Sequence, residues 1–216
     1  MKYRVGVMAG TPIDTQMGVD LLKTNGIEAV GYPLSENPKE QSRLQLLSKD
    51  KLHYMVIEKI LHAKSIGIEK FFIYCNSLSA AVDMHKVSKE TKTFIVTPFM
   101  SYKEIAKEYS NLLILGANAQ SCSKIEEVLE ESNKDITMWS ISALPLVEYI
   151  EKRNLPIDIY EKIGLGKILQ WGELNNFDGI VLGCTHFPYL KELLMENTDI
   201  PIIDPADKMV ERLTSI

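Results

Sequence analysis

Cys75 ends one short apolar run, FFIYCNSLSA, and Cys184 ends another, GIVLGCTHFPYL; the two thiols stand 109 residues apart in a chain of 216. A thiolate can take a proton from carbon and a thiol can return one. With an unperturbed pKa of about 8.5, cysteine does this closer to neutral pH than serine or lysine. Two thiols serving opposite faces of one carbon would invert its configuration without a cofactor. A single strand-end cysteine is ordinarily a small buried apolar residue. The recurrence of the design gives the pair its chemical meaning.

The flanking residues suit that chemistry. Asn76, Ser77 and Ser79 follow Cys75 and are helix-opening types. A helix N-terminus offers free N–H groups and a positive dipole, which bind carboxylates and lower the pKa of a nearby thiol. Thr185 and His186 follow Cys184, and Pro188 fits a first helical turn. His186 can orient a substrate group or share protons with the thiol. Proton removal leaves a carbanion-like intermediate, and Asn, Ser and Thr donors around a substrate carboxylate are the means of stabilising it.

The elements that must position these residues also repeat. RVGVMAG from Arg4 matches LLILGAN from Leu112, setting Ala9 opposite Ala117, and IVTP ending at Pro98 matches IIDP ending at Pro205. Three strand ends recurring in one order at nearly one offset predict two related halves. Strands are expected at Tyr3 to Met8, Ile27 to Tyr32, Lys70 to Tyr74, Thr93 to Val96, Leu112 to Leu115, Ile136 to Ser140, Asp178 to Leu182 and Ile200 to Ile203. Between them, Leu52, Met55, Val56, Ile60 and Leu61 fall on one helix face, as do Ile125, Val128 and Leu129. Such alternation predicts βαβ units, with parallel sheets buried by helices. Right-handed crossovers carry every strand's C-terminal end to one sheet edge, where ligands bind and where both cysteines fall.

The expected fold is therefore α/β, in two pseudosymmetric halves, each a mainly parallel sheet flanked by helices, with the active site in the cleft between them. Residues 1–97 form the half carrying Cys75, joined by the segment 207–216; residues 98–206 form the half carrying Cys184. The polar stretch from Pro33 to Lys49 lacks periodicity and reads as a loop covering the site.

Composition narrows the partners. With 45% hydrophobic residues the chain can bury a substantial core. A net charge of −5 with scattered Lys and Arg offers no surface for nucleic acid. MKYRVGVMAG has too short an apolar stretch for a signal peptide, and no run approaches the roughly 18 apolar residues of a membrane span, so a cytoplasmic location is expected. Cys75, Cys122 and Cys184 cannot all pair and form no CxxC cluster, so they read as free thiols, with Cys122 structural. His53, His62 and His85 lie on predicted helices without ligand spacing, and no metal is expected. IGLGK from Ile163 falls inside a helical stretch rather than after a strand, which argues against a phosphate loop.

CNS from Cys75 and GCTHFPYL from Gly183 resemble the paired signatures of the aspartate/glutamate racemases, cofactor-independent enzymes built from two pseudosymmetric α/β halves. The resemblance covers nearly the whole chain. It implies proton-transfer roles for Cys75 and Cys184, an amino-acid substrate, no cofactor and a homodimer. LPLVE from Leu144 resembles the family segment with an assisting acid, which falls on Glu148, and IIDPADKMVERL resembles the segment closing the fold.

The departures concern substrate choice. Glutamate racemases carry an Asp-Ser pair against the substrate amine where this chain has Ala9 and Gly10. AGTPIDT, which contains Thr11, is more similar to the glycine-rich start of aspartate racemases, with Thr15 matching a family threonine, yet GCTH is glutamate-type. Asn118 and Ser121 stand where family members have two threonines, and Arg43 where aspartate-type relatives have a basic residue for the distal carboxylate. Asn118 and Ser121 also read simply as helix-start residues, Glu148 as a solvated helix position and Arg43 as an exposed loop residue. The expected activity is racemisation of aspartate, glutamate or both, with substrate contacts from Asn76, Ser77, Thr185, Ala9, Gly10, Thr11, Thr15, Asn118 and Ser121. The alternatives are a related isomerase or decarboxylase acting on maleate, a malonate or a hydantoin, or a catalytically silent binding protein on the same fold.

Overall fold

The computed structural model describes residues 4–36, 40 and 47–215. The chain divides into two compact units, Met1–Pro98 with Ala206–Ile216, and Phe99–Pro205.

The first unit runs β1 (Val5–Met8), α1 (Pro12–Thr24), β2 (Ala29–Gly31), α2 (Lys49–Ser65), β3 (Lys70–Ile73), α3 (Asn76–Ala81), α4 (Met84–Thr91) and β4 (Phe94–Val96). Its sheet has the order β2-β1-β3-β4, all parallel. All four residues of VGVM in β1 are buried, as expected of a parallel strand covered on both faces. Thr11 and Asp14 form a capping box at the start of α1, with Pro12 in the first turn. Further along α1, a Cβ on Gly18 would come within 2.8 Å of both the Tyr74 ring and Val7. Only glycine lets the helix lie this close over the central strands.

The second unit runs α5 (Pro98–Glu108), β5 (Asn111–Gly116), α6 (Ala119–Ser132), β6 (Thr137–Ser142), α7 (Leu144–Glu151), α8 (Pro156–Ile163), α9 (Leu165–Leu174), β7 (Gly179–Gly183), a 3-10 turn (Phe187–Leu190), α10 (Lys191–Met195) and β8 (Ile202–Ile203). Its sheet has the order β6-β5-β7-β8, again all parallel. Tyr102, Ile105, Ile114, Ile125, Leu129 and Val181 form part of its core. The last helix, α11 (Pro205–Thr214), places Ala206, Met209, Val210 and Leu213 in the core of the first unit.

The second sheet repeats the order of the first with each strand advanced by four, so β1 corresponds to β5 and β3 to β7. This is the α/β repeat expected from the sequence, and all eight expected strands are present with ends shifted by a few residues. Tyr3, the expected start of β1, lies outside the described residues. Two local readings are refined. IGLGK lies in a helical stretch, as read, but that stretch is two helices, α8 and α9, divided at Gly164 with its φ of 76°. Of the stretch read as a loop, Glu40 is helical and Lys49 already belongs to α2; Arg43 lies outside the described residues. Among the described residues, no helix is long and apolar enough to cross a membrane.

Candidate functional site

In the first unit, Met8 pairs with Ile73, and the Tyr74 N–H donates to the Met8 carbonyl at 2.8 Å. Ala9 and Cys75 thus leave neighbouring strand ends. Cys75 has extended backbone and is the N-cap of α3. Its Sγ accepts the Leu78 N–H at 3.4 Å, and its carbonyl accepts the Ser79 N–H at 3.1 Å and the Ser79 hydroxyl at 2.9 Å. An N–H donated to sulfur favours the thiolate over the thiol. Cys75 is 6% exposed, with Asn76 buried and Ser77 half-buried beside it.

The loop after β1 is held by its own polar groups. The Asp14 carboxylate accepts the Gly10 N–H at 3.2 Å, the Thr11 N–H at 2.6 Å and the Thr11 hydroxyl at 2.9 Å. The Thr15 hydroxyl donates to the Thr11 carbonyl at 2.7 Å. These bonds give Ala9, Gly10 and Thr11 a fixed path next to Cys75. Asp14 carries no functional expectation from the sequence, although TPID is legible as a capping pattern.

In the second unit, Gly116 pairs with Gly183, so that Ala117 and Cys184 leave neighbouring strand ends in the same way. The surroundings of the thiol differ. Cys184 is 7% exposed, and its Sγ lies 3.7 Å from His186 Nδ1. The other ring nitrogen, Nε2, lies 3.2 Å from Glu151 Oε1. A tight turn carries Thr185 and His186, closed by the Phe187 N–H donating to the Cys184 carbonyl at 3.0 Å, and Pro188 stands in the first turn of the 3-10 segment. Asn118 caps α6, its Oδ1 accepting the Ser121 N–H at 2.9 Å, which corresponds to the place of Thr11 and Asp14 on α1.

Glu148 is exposed on α7. The carboxylate that reaches His186 belongs to Glu151, one turn further along LPLVEYIE. The i,i+3 repeat of glutamate on one helix face was the available signal for it. Cys122, 3% exposed, lies apart from this chemistry, its Sγ 3.7 Å from Ser142 Oγ. Burial pushes its thiol pKa up; hydrogen bonding with Ser142 pulls the other way, and Glu126 adds to the rise. Among the described residues, no group of His, Cys, Asp and Glu could hold a metal ion.

No family model matches the chain. The chain is 27% identical over 160 residues to the glutamate racemase of Clostridium botulinum, a match covering 71% of this chain and 60% of that protein. The chain is similar to the aspartate/glutamate racemases. It spans less than two thirds of the length of the first curated relatives of the family that it matches. Among solved aspartate/glutamate racemases, that of Francisella tularensis in complex with D-glutamate matches with a TM-score of 0.72 at 16% identity, over 99% of this chain and 80% of its own. The aspartate racemase of Picrophilus torridus matches with a TM-score of 0.71 at 19% identity, over 99% and 93%. At these identities the structural likeness is one of fold.

Proposed function

We propose that the chain is a cofactor-independent racemase of an acidic amino acid, aspartate, glutamate or both, working by two thiols. The observation that carries this reading is the equivalence of Cys75 and Cys184: each follows the corresponding strand of its sheet, β3 or β7, and leaves it beside the end of the first strand, β1 or β5. In the proposed reaction one cysteine, as thiolate, takes the α-proton. The other, as thiol, gives its proton to the opposite face. The two thiols exchange protonation states in each turnover, so either the opposite enantiomer binds next or solvent resets the pair. Asn76, Ser77, Thr185, Asn118 and Ser121 supply hydrogen bonds to the substrate, and the loop of Ala9, Gly10, Thr11 and Thr15 shapes its binding. His186 assists Cys184, and α7 supplies the assisting carboxylate, Glu148 by the resemblance or Glu151 by its contact with the histidine. Polar groups fixed before the reaction stabilise the developing carbanion more effectively than water, which must reorganise.

The test is α-proton exchange in D2O with each enantiomer of aspartate and glutamate, followed by proton NMR and optical rotation. Racemisation with deuterium appearing in the product enantiomer is expected. Exchange with complete retention of configuration would instead support one-thiol chemistry of the kind a related isomerase uses, and no exchange with any of the four would remove the racemase reading.

A further inference from the structure

We infer that Ser35 is a positioning residue of the candidate site: with Asp14 it clamps the peptide unit between Gly10 and Thr11, so that the β1 loop meets the substrate as a rigid wall and selects it by shape. The identity of the substrate rests on the racemase reading, while the clamp itself can be tested without turnover. Hydrogen bonds from the β2 side to β1 advance by two residues at each step, as in a parallel ladder. The Tyr32 N–H donates to the Val7 carbonyl at 2.7 Å and the Leu34 N–H to the Ala9 carbonyl at 3.0 Å. Ser35 breaks that step. Its N–H donates at 3.0 Å to the very next carbonyl, that of Gly10, and its hydroxyl donates to the same oxygen at 2.7 Å. A carbonyl oxygen has two lone pairs, and this one buried residue occupies both.

The other side of the same peptide unit is held by Asp14, whose carboxylate accepts the Thr11 N–H at 2.6 Å and, one residue earlier, the Gly10 N–H at 3.2 Å. The start of a helix ordinarily leaves N–H groups free to bind a carboxylate. Here the two N–H groups nearest the strand end are engaged within the protein, so the loop does not serve the substrate as a main-chain anion site. What remains is shape: the path of Ala9, Gly10 and Thr11 beside Cys75, at the neighbouring strand end, sets the room that the substrate finds. One methylene, the difference between aspartate and glutamate, is worth roughly 10- to 200-fold in a fitted pocket. That discrimination needs the wall to stay in place. Ser35 fixes it from the β2 side, and removing the hydroxyl would leave the Gly10 carbonyl held by the Ser35 N–H alone.

The experiment compares the full wild-type chain with Ser35→Ala, Ser35→Thr and, as a control for losing an equivalent bond elsewhere in the unit, Ser88→Ala, the Ser88 hydroxyl donating at 2.7 Å to the Thr93 carbonyl. Hydrogen exchange of the Gly10 and Thr11 amides is followed by NMR. Protection of Cys75 from iodoacetamide by each enantiomer of aspartate and glutamate is followed by peptide mass spectrometry, and racemisation is measured on the same samples. In Ser35→Ala both amides should exchange about tenfold faster, the size of one buried hydrogen bond. KM for aspartate should rise by a similar factor with kcat changing less, and the aspartate-to-glutamate ratio of kcat/KM should fall about fivefold as the wall loosens. Ser35→Thr keeps a hydroxyl and should recover most of both effects; Ser88→Ala should show neither. Wild-type exchange at the two amides in Ser35→Ala would overturn the inference. So would faster exchange that leaves KM, ligand protection and the ratio unchanged, or the same changes in Ser88→Ala. If wild type exchanges no α-proton, yet Ser35→Ala frees the two amides and weakens ligand protection of Cys75, the racemase reading fails and the clamp stands. If wild type racemises and Ser35→Ala behaves like Ser88→Ala, the clamp fails and the racemase reading stands.

Discussion

Gly116 and Cys122 compete for one space at the end of β5: a Cβ on residue 116 would stand 2.4 Å from the Cys122 sulfur. Glycine at 116 therefore allows α6 to start close over the strand end that precedes Ala117 and Asn118. Gly116→Ala should cost about 1–3 kcal/mol of stability, the usual penalty for forcing volume into a packed interior. In a Cys122→Ala background the same change should cost much less, because the clashing atom is gone. A double-mutant cycle by urea denaturation measures the coupling, and simple additivity of the two changes would show that the contact does not limit the packing.

The second prediction concerns the two thiols. Cys75→Ala and Cys184→Ala should each abolish inversion while circular dichroism stays near that of wild type, because each change removes a single sulfur from a side chain that is not a large core filler. A variant losing one thiol should still exchange the proton on the face served by the other. Near-normal racemisation in both directions by either variant would rule out the two-thiol mechanism.

Cys122 provides a prediction in pH. Its folded pKa lies above the ordinary value of 9.0, chiefly through burial. The folded chain therefore holds this proton after the unfolded chain has released it. The corresponding stabilisation is fully present below the unfolded pKa and is lost as pH rises through that value toward the folded one. Denaturation midpoints should fall as the pH is raised above about 9, and part of that slope should vanish in Cys122→Ala. An identical slope in the two proteins would show that other groups carry it. At pH 8 the same shift leaves Cys122 mostly as unreactive thiol, so iodoacetamide should label Cys75 or Cys184 first.

Much of this architecture was legible because each strand is a short apolar run with a helix-opening group after it. VGVM before Thr11, KFFI before Cys75, NLLILG before Asn118 and GIVLG before Cys184 make the two sheets readable without tertiary information. The three helices between β6 and β7 were not resolved individually, since a lone Gly164 with positive φ divides an otherwise continuous helical pattern. The choice between Glu148 and Glu151 was not legible either. Both suit α7, and which one meets His186 depends on where the turn after Cys184 places the imidazole. Asp14 went unnoticed as a neighbour of the site because a carboxylate in the first turn of a helix is ordinarily a cap, and here it is one.

The last prediction is about substrate selection. The segment from Ala9 to Thr11 has no ionisable side chain, and the carboxylate behind it, Asp14, accepts hydrogen bonds from Gly10 and Thr11. The resemblance marks this as the place where glutamate racemases set an Asp-Ser pair against the substrate amine. Losing a charged hydrogen-bond partner in a buried site costs on the order of 1–3 kcal/mol, enough to move relative preference among ligands by one or two powers of ten. Thr185, His186 and the α7 carboxylate are the polar groups expected to take up part of that role, and none of them depends on the length of a glutamate side chain. Aspartate should therefore be used at least as well as glutamate. Measuring kcat/KM for both enantiomers of each amino acid decides the matter: glutamate favoured by a hundredfold or more would show that the composition of the β1 loop does not govern selection.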